Sequence, residues 1–552
     1  MRQQTANNTV GFLLDEEFFV RLHRQLRALI AQHARDPHAA QPVANTYVRI
    51  GMWVCHFDTI LPAYDGQAQE HLYDVLIELS LRAVKVQVLL WAGSSLPTMN
   101  AEQRTNTEMK EWAENPQRPH MEVHLQPYAN EWVVRSSNHQ KLIIINDNGA
   151  LEAIAGGFNL GSNYYSKIDH GHPDDNNWKA GNRKWESNLW HDVAVTLTGP
   201  SAVSAEQVWV TNWNKPGNAF AQAQTAGNQG APGPVQVTIA TTQRAPGYWW
   251  WSSDTYETDI RDLLIAKING AQDFIYIENY ALTDPAIIAA LRAKHAAGVK
   301  VIVVIHHPKN KQFMANEVWS FLMFFTLIGV SIPRATSFRF NSFENLPVPH
   351  PALYGAVQLV VDNQFEGADY TFDAPVVPFL YNSLTAISDF YDARVNYQHR
   401  VHADQHGSFR VRDVTDMQAP PVIFAPRRVY DYGGDVGVKT EYPYVHSKVA
   451  IIDDRVAFVG SSNWTHRSMV NDGEISAMIE NGPAVSAFRL RLFQHWGINV
   501  DDPVQWPDNP AAPANGHVGM EALSFNDFLK PTEGRAYTSA SSWLGWLAPG
   551  IF

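Results

Sequence analysis

The chain has 552 residues, 45% hydrophobic and 18% charged, with a formal net charge of −13 and a single cysteine, Cys55. This is enough for two large domains or one large duplicated body with a substantial core. The acidic balance disfavours binding along a phosphate backbone, which needs clustered Lys and Arg to displace counterions, and one cysteine excludes an intramolecular disulfide, which fits folding in a reducing cytoplasm.

Met1 to Phe19 is polar, with Asp15, Glu16 and Glu17 and no basic stretch leading into an apolar one, so no secretory signal peptide is expected. Tyr47 to Phe57 then reads as a strand, Gln69 to Lys85 as an amphipathic helix with Leu72, Val75, Leu76 and Leu79 on one face, and Val86 to Trp91 as a second strand. The same succession returns later: Phe274 to Leu282 as a strand, Pro285 to Ala297 as a helix with Pro near its start, and Lys300 to Ile305 as a strand. A β-α-β unit that recurs implies sheets with helices on their faces. Between the two copies, Gly217 to Pro234 is rich in Gly, Ala, Gln and Pro without periodicity, the composition of a connection. The expected division is an N-terminal half over 1–216, a linker over 217–236 and a C-terminal half over 237–552. The second half is the longer, which predicts an insertion near 335–440, irregular and rich in Pro, aromatics and His. The longest near-continuous apolar stretch, Val318 to Ile332, is shorter than the ~20 residues of a spanning helix.

One pattern occurs in both halves. His139-Gln140-Lys141 opens an apolar run leading to Gly156-Gly157-Phe158-Asn159, and His446-Ser447-Lys448 opens one leading to Gly460-Ser461-Ser462-Asn463. Strand side chains alternate faces, so each His and its Lys point the same way. Leu142 to Ile145 and Val449 to Ile452, apolar on both faces, read as central buried strands. Lysine brings positive charge, Asn159 and Asn463 bring amide groups, and the turns at Gly157 and Ser461 bring backbone N–H groups, all suited to a phosphoryl group in transit.

In the second copy the order His446, Lys448, Asp453, Gly460, Ser461, Asn463 resembles the signature of the phospholipase D superfamily. The wording around it is similar to the catalytic region of eukaryote-type phospholipases D: Tyr444 to Lys448, Arg467-Ser468-Met469 and Glu474, and Phe274 to Tyr280 with Glu257. In the first half His139-Gln140-Lys141, Gly156-Gly157, Trp190-His191-Asp192 and Gly199-Pro200 match as well. The first copy departs in one place, carrying Asn146 followed by Asp147 where the second has Asp453; that aspartate is expected to be structural.

The resemblance implies an α/β fold, two similar phospholipase D-like α/β/α sandwich domains packed face to face as a pseudo-two-fold single chain. It implies catalysis by His139 and His446, one attacking phosphorus and the other protonating the departing alcohol, with Lys141 and Lys448 stabilising charge. Asp192 is expected to orient His139 and Glu474 to orient His446. Asn159, Asn463, Gly157 and Ser461 are expected to bind substrate. No cofactor and no metal is expected; His306-His307 and His170-x-His172 are pairs common by chance, without a cysteine cluster or HExxH beside them. His56 and Glu278-Asn279, at strand ends, are candidates to line the pocket, and Trp249-Trp250-Trp251 and Trp543-Leu544-Gly545-Trp546-Leu547 are candidates for a bilayer interface, with core packing favoured.

The implied activity is hydrolysis of the distal phosphodiester of glycerophospholipids to phosphatidic acid and a free head group, through a phosphohistidine that an alcohol also intercepts. The implied partner is a glycerophospholipid at a membrane surface, met peripherally, and no nucleic acid. Two alternatives share the chemistry: a cardiolipin-synthase-like phosphatidyltransferase and a nucleic-acid phosphodiesterase. The chain is expected to be cytoplasmic as made. By family analogy, a bacterial lipase effector exported by a signal-independent route, with an immunity or delivery protein as partner, is also consistent with it.

Overall fold

The computed structural model describes residues 2–92, 100–126, 137–170, 189–214, 233–245, 255–307, 423–431 and 437–523, apart from a few isolated positions, together with the short strands Asp369–Thr371 and Ser408–Arg410. Most of the expected insertion and linker, the Val318 to Ile332 run, the two Trp-rich segments and His172 lie outside the described residues.

Seven strands build the first sheet: β1 (Arg2–Leu14), β2 (Tyr47–Met52), β3 (Lys85–Trp91), β4 (Met121–Gln126), β5 (Leu142–Asp147), β6 (Ala150–Gly156) and β7 (Val193–Thr198). Their spatial order is β4-β3-β2-β5-β6-β7-β1, parallel through β4, β3 and β2 and antiparallel from there on. The second sheet uses β8 (Val235–Ala245), β9 (Phe274–Asn279), β10 (Lys300–Val304), β11 (Ile423–Asp431), β12 (Lys448–Ile452), β13 (Val456–Gly460) and β14 (Glu474–Glu480). Its order, β11-β10-β9-β12-β13-β14-β8, has the same succession of parallel and antiparallel neighbours. The β-α-β units and the strands after each His-x-Lys thus fall where the periodicity puts them, with ends differing by a few residues.

Of the strands that the sequence pattern did not predict, two are hidden by their composition. β11 lies inside the stretch expected to be an irregular insertion; Pro426, Arg427 and Arg428 break the apolar pattern of its buried residues Ile423, Phe424 and Ala425. β1 is too polar to read as a strand, yet it joins the sheets. Thr9–Leu14 pairs with β7 and Arg2–Thr5 and Asn8 pair with β8, making one continuous 17-stranded sheet. The crossing point is Asn7, at φ 62°, followed by the fully buried Asn8. The Asn8 amide donates to the carbonyls of Thr5 and Val235, each at 3.0 Å, and its Oδ1 accepts the N–H of Ser201 at 2.7 Å. A buried corner is thereby left with its polar groups satisfied.

Helices lie on both faces, as an α/β architecture requires. α1 (Glu16–Gln32), α2 (Leu72–Ser80) and α3 (Asn100–Ala113) cover one face of the first sheet through Phe19, Leu22, Leu26, Val75, Leu76, Leu79 and Met109. α5 (Asp259–Gly270) and α6 (Pro285–Ala296) cover the outer face of the second through Leu263, Leu264, Ile287 and Leu291. A third apolar layer joins the remaining faces of both sheets with α4 (Pro200–Trp213) and α7 (Gly482–His495), and contains Trp209, Trp213, Phe488 and Phe493. Helix α6 starts at Pro285 with Asp284 accepting the N–H of Ala286 and Ile287 at 3.0 and 3.1 Å, an N-cap that fixes where the chain turns off β9. Among the described residues no helix is long and apolar enough to cross a membrane.

Candidate active site

Each His-x-Lys lies at the start of its central strand, His139 to Lys141 just before β5 and His446 to Lys448 running into β12, and both sites meet where the halves are stitched together. The short strands Trp190–His191 and Tyr444–Val445 pair in parallel, with Tyr444 opposite Trp190 and Val445 opposite His191. A second parallel bridge links Asn138 to Gly473. The His446 N–H donates to the carbonyl of His191 at 2.8 Å and the His139 N–H to that of Gly473 at 2.9 Å.

This stitching reverses the expected carboxylate pairing. Glu474 contacts His139, Oε1 to Nδ1 at 2.9 Å, and Asp192 contacts His446, Oδ2 to Nδ1 at 2.7 Å. Each imidazole is oriented by an acid from the other half. The reason is register: the residue after His191 comes beside the residue after Val445, and the residue after Gly473 beside the residue after Asn138. Both carboxylates are fully buried, and the side chains of His139 and His446 are 13% and 10% exposed, which leaves each ring an open edge.

The other sequence-derived residues divide into two groups. Lys141 and Lys448 are buried, and each ammonium donates to the backbone carbonyl of its own histidine, Lys141 at 2.9 Å. Asn159 is buried and Asn463 half-buried, and Oδ1 of each accepts no hydrogen bond from the described residues. Gly157 and Ser461, expected to offer N–H groups to substrate, do something else. Their amides are occupied within the sheet, Gly157 donating to Val193 at 3.1 Å and Ser461 to Ile475 at 2.9 Å. Instead they hold the two acids. The Ser461 hydroxyl donates to Glu474 Oε2 at 2.5 Å, and Gly157 makes room for Asp192, since a Cβ there would sit 1.9 Å from Oδ1. We therefore expect Gly157→Ala to displace Asp192 and lower kcat by roughly 10²-fold with KM little changed; steady-state kinetics at wild-type rates would show that the carboxylate needs no such clearance.

The departure at Asn146 is structural, as expected. Asp453, at φ 52°, accepts the N–H groups of Gln272, Asp273 and Phe274 at 2.8, 2.9 and 3.0 Å. Asn146 closes its own turn by accepting the Gly149 N–H at 2.8 Å. Both lie at the far end of their strands from the histidines.

Glu278 is a support and not a lining residue. Buried at the end of β9, it accepts from His191 Nε2 at 2.9 Å, Ser447 Oγ at 2.8 Å, Tyr276 OH at 2.5 Å and Trp496 Nε1 at 2.7 Å. It thus ties the segment before Asp192 to the segment after His446. Aromatic rings that sequence reasoning passed over border the two imidazoles: Trp53 lies 5.9 Å from His139, and Trp190, Tyr164 and Tyr444 lie 4.8, 6.3 and 6.4 Å from His446. His306 stacks on Tyr444 and His307 on Tyr442, at 4.7 and 4.0 Å. His56 caps a turn through its carbonyl, accepting the Thr59 hydroxyl.

Comparison with known proteins bears on this arrangement. The family described as cardiolipin synthase, PLD-like domain, matches residues 389–496, the stretch holding His446, Lys448, Asn463 and Glu474. Phospholipase D1 of Schizosaccharomyces pombe is 24% identical over 347 residues, 56% of this chain and 21% of that protein. Phospholipase D of Phytophthora infestans is 36% identical over 110 residues, 17% of this chain and 6% of that protein. The PLD-like domain and these relatives support membership of this chain in the phospholipase D superfamily. The chain spans about a fifth or less of the length of these relatives. Among solved structures, phosphatidylserine synthase of Haemophilus influenzae is 12% identical and aligns over 88% of this chain and 86% of its own, with a TM-score of 0.40.

Burial dominates the electrostatics of this phospholipase D superfamily site. It pushes the Lys141 ammonium down to about 7, with Glu474 opposing and Lys448 adding to the shift, and Lys448 down to about 8 against the pull of Asp192 and Glu474. Burial, then Lys448 and Lys141, hold the His446 imidazole well below its ordinary value. Burial also raises Asp192 to about 7 against Lys448, and Glu474 well above the carboxylate range. A lysine with a lowered pKa is charged below that value and neutral above it. Turnover that depends on both ammoniums should therefore fall as pH rises through about 7 to 8. A kcat/KM profile flat to pH 10 would remove charged lysine as a requirement.

Proposed function

We propose that the chain is a phospholipase D, hydrolysing the distal phosphodiester of glycerophospholipids to phosphatidic acid and a free head group. The observation that carries this reading is the pair of imidazoles, each held at Nδ1 by the other half's carboxylate, with an ammonium beside each.

With Nδ1 held by the carboxylate, Nε2 of either ring is the atom that meets substrate. One Nε2 attacks phosphorus, the P–O bond to the head-group alcohol breaks, and the other ring, protonated, gives its Nε2 proton to the departing oxygen. The second ring, now neutral, takes a proton from water as water attacks phosphorus, and the P–N bond breaks to release phosphatidic acid. Lys141 and Lys448 offset the charge that builds on the phosphoryl oxygens, and the side-chain NH₂ groups of Asn159 and Asn463 are the amide donors beside them, their unpartnered Oδ1 atoms being acceptors only. Because the intermediate is a phosphoramidate, a small alcohol serves in place of water. The aromatic rings around the histidines suit an amphiphilic substrate taken from a membrane surface.

The test is incubation of the purified protein with mixed phospholipid vesicles in the presence of ethanol. Phosphatidylethanol beside phosphatidic acid is expected. Phosphatidyl transfer between lipids without hydrolysis would assign a transferase, and release of nucleotides from nucleic acid with neither lipid product would assign a nuclease.

A further inference from the structure

Next to the segment that carries Asp192 lies a cluster for which the reaction has no use. Four side chains from four separate places converge: Asp15 between β1 and α1, His170 after β6, His191 just before β7, and His495 at the end of α7. Asp15, His170 and His191 have fully buried side chains and that of His495 is 5% exposed. One donor atom from each lies within 4.8 Å of the other three.

The separations have the dimensions of a coordination shell. An ion held at about 2.0–2.1 Å by imidazole nitrogens and a carboxylate oxygen spaces tetrahedral ligands roughly 3.3–3.4 Å apart. Here His170 Nε2 to His495 Nε2 is 3.0 Å, His191 Nδ1 to Asp15 Oδ2 is 3.3 Å, His495 Nε2 to Asp15 Oδ2 is 3.4 Å, and His170 Nε2 to Asp15 Oδ2 is 3.8 Å. The rings are also braced from behind, as metal-bound histidines are. Ser166 Oγ lies 3.0 Å from His170 Nδ1, and Glu278 Oε2 lies 2.9 Å from His191 Nε2. Asp15 and His170 both sit at positive φ, 50° and 49°, conformations costing about 1–3 kcal/mol each in residues other than glycine. Such strain persists where something else fixes the side chain.

Charge points the same way. Asp15 and Glu278 place two fully buried carboxylates on either side of His191, and one divalent ion with three neutral imidazoles balances both. His495 also borders a cavity of about 330 Å³, lined among others by Gln494, Gly497, Pro513 and His517.

We propose that Asp15, His170, His191 and His495 form a closed four-ligand site for a divalent transition metal, with zinc the best fit to an N₃O tetrahedron. Four protein ligands leave no open position, so the site is structural. Its work is to fix the segment bearing Asp192: Asp15 Oδ1 accepts the Asp192 N–H at 3.1 Å, and the Asp15 N–H donates to the Asp192 carbonyl at 3.1 Å.

The test uses the full chain and does not depend on any phosphodiesterase assay. Protein expressed with zinc in the medium and desalted without chelator should carry about one zinc per chain by elemental analysis. Stripping with a chelator should lower the unfolding temperature by several degrees, and added zinc should restore it. Refilling stripped protein with Co²⁺ should give the intense visible bands of a tetrahedral centre, and His170→Ala and His495→Ala should abolish uptake. If a variant does not fold, the Co²⁺ spectrum of the wild-type chain decides alone. Less than about a tenth of an equivalent of zinc in the wild type, with no uptake of Zn²⁺ or Co²⁺ on titration, overturns the proposal, as does undiminished uptake by both variants.

Discussion

His139→Ala and His446→Ala should each lower kcat by roughly 10⁴-fold or more while leaving the unfolding temperature within a few degrees of wild type. The size follows from the covalent route. Without the attacking ring there is no intermediate, and without its partner the alcohol must leave as an alkoxide. The fold should survive because the two side chains reach the site surface and the backbone at each position keeps its bond, to Gly473 from residue 139 and to His191 from residue 446. The two losses should not multiply in the double variant, since in the proposed reaction both rings act on one phosphorus atom. Turnover within tenfold of wild type in either single variant, measured on phospholipid vesicles, would refute the paired roles.

Asp192→Asn and Glu474→Gln should each lower kcat by about 10²–10⁴-fold, and each should mark the histidine of the opposite half. An amide in place of the acid can present its NH₂ to Nδ1 and leave the ring in the wrong tautomer. In Asp192→Asn the altered ring is that of His446; in Glu474→Gln it is that of His139. Imidazole nitrogen chemical shifts of the two rings separate the cases. Perturbation of His139 by Asp192→Asn, with His446 unmoved, would restore the within-half pairing and contradict the stitched geometry.

That pairing is also the clearest case of what the sequence does not reveal. Periodicity and spacing are local, and they located the repeated β-α-β units, the central strands and both His-x-Lys copies. The structural role of Asp453 came from the family resemblance, and its three backbone N–H bonds agree with it. Which acid serves which histidine depends on two short parallel contacts between segments hundreds of residues apart, and no local signal encodes them. The roles of Gly157 and Ser461 escaped for a related reason: a glycine needed for clearance and one needed for its N–H look alike until the neighbour is known. β1 was hidden by its polar residues. The histidine cluster was hidden because Asp15, His170, His191 and His495 share no spacing that any metal motif uses.

β1 carries a consequence for synthesis. Its residues 9–14 find their partners in 193–198, and residues 2–8 find theirs in 235–240, so this stretch leaves the ribosome long before either ladder exists. It has to wait, unpaired, while the chain up to residue 235 is made, and its polar composition suits that wait because it offers little for aggregation to seize. Closure of the seam is then a late event, and a nascent chain arrested before residue 235 holds one finished sheet and half a clasp.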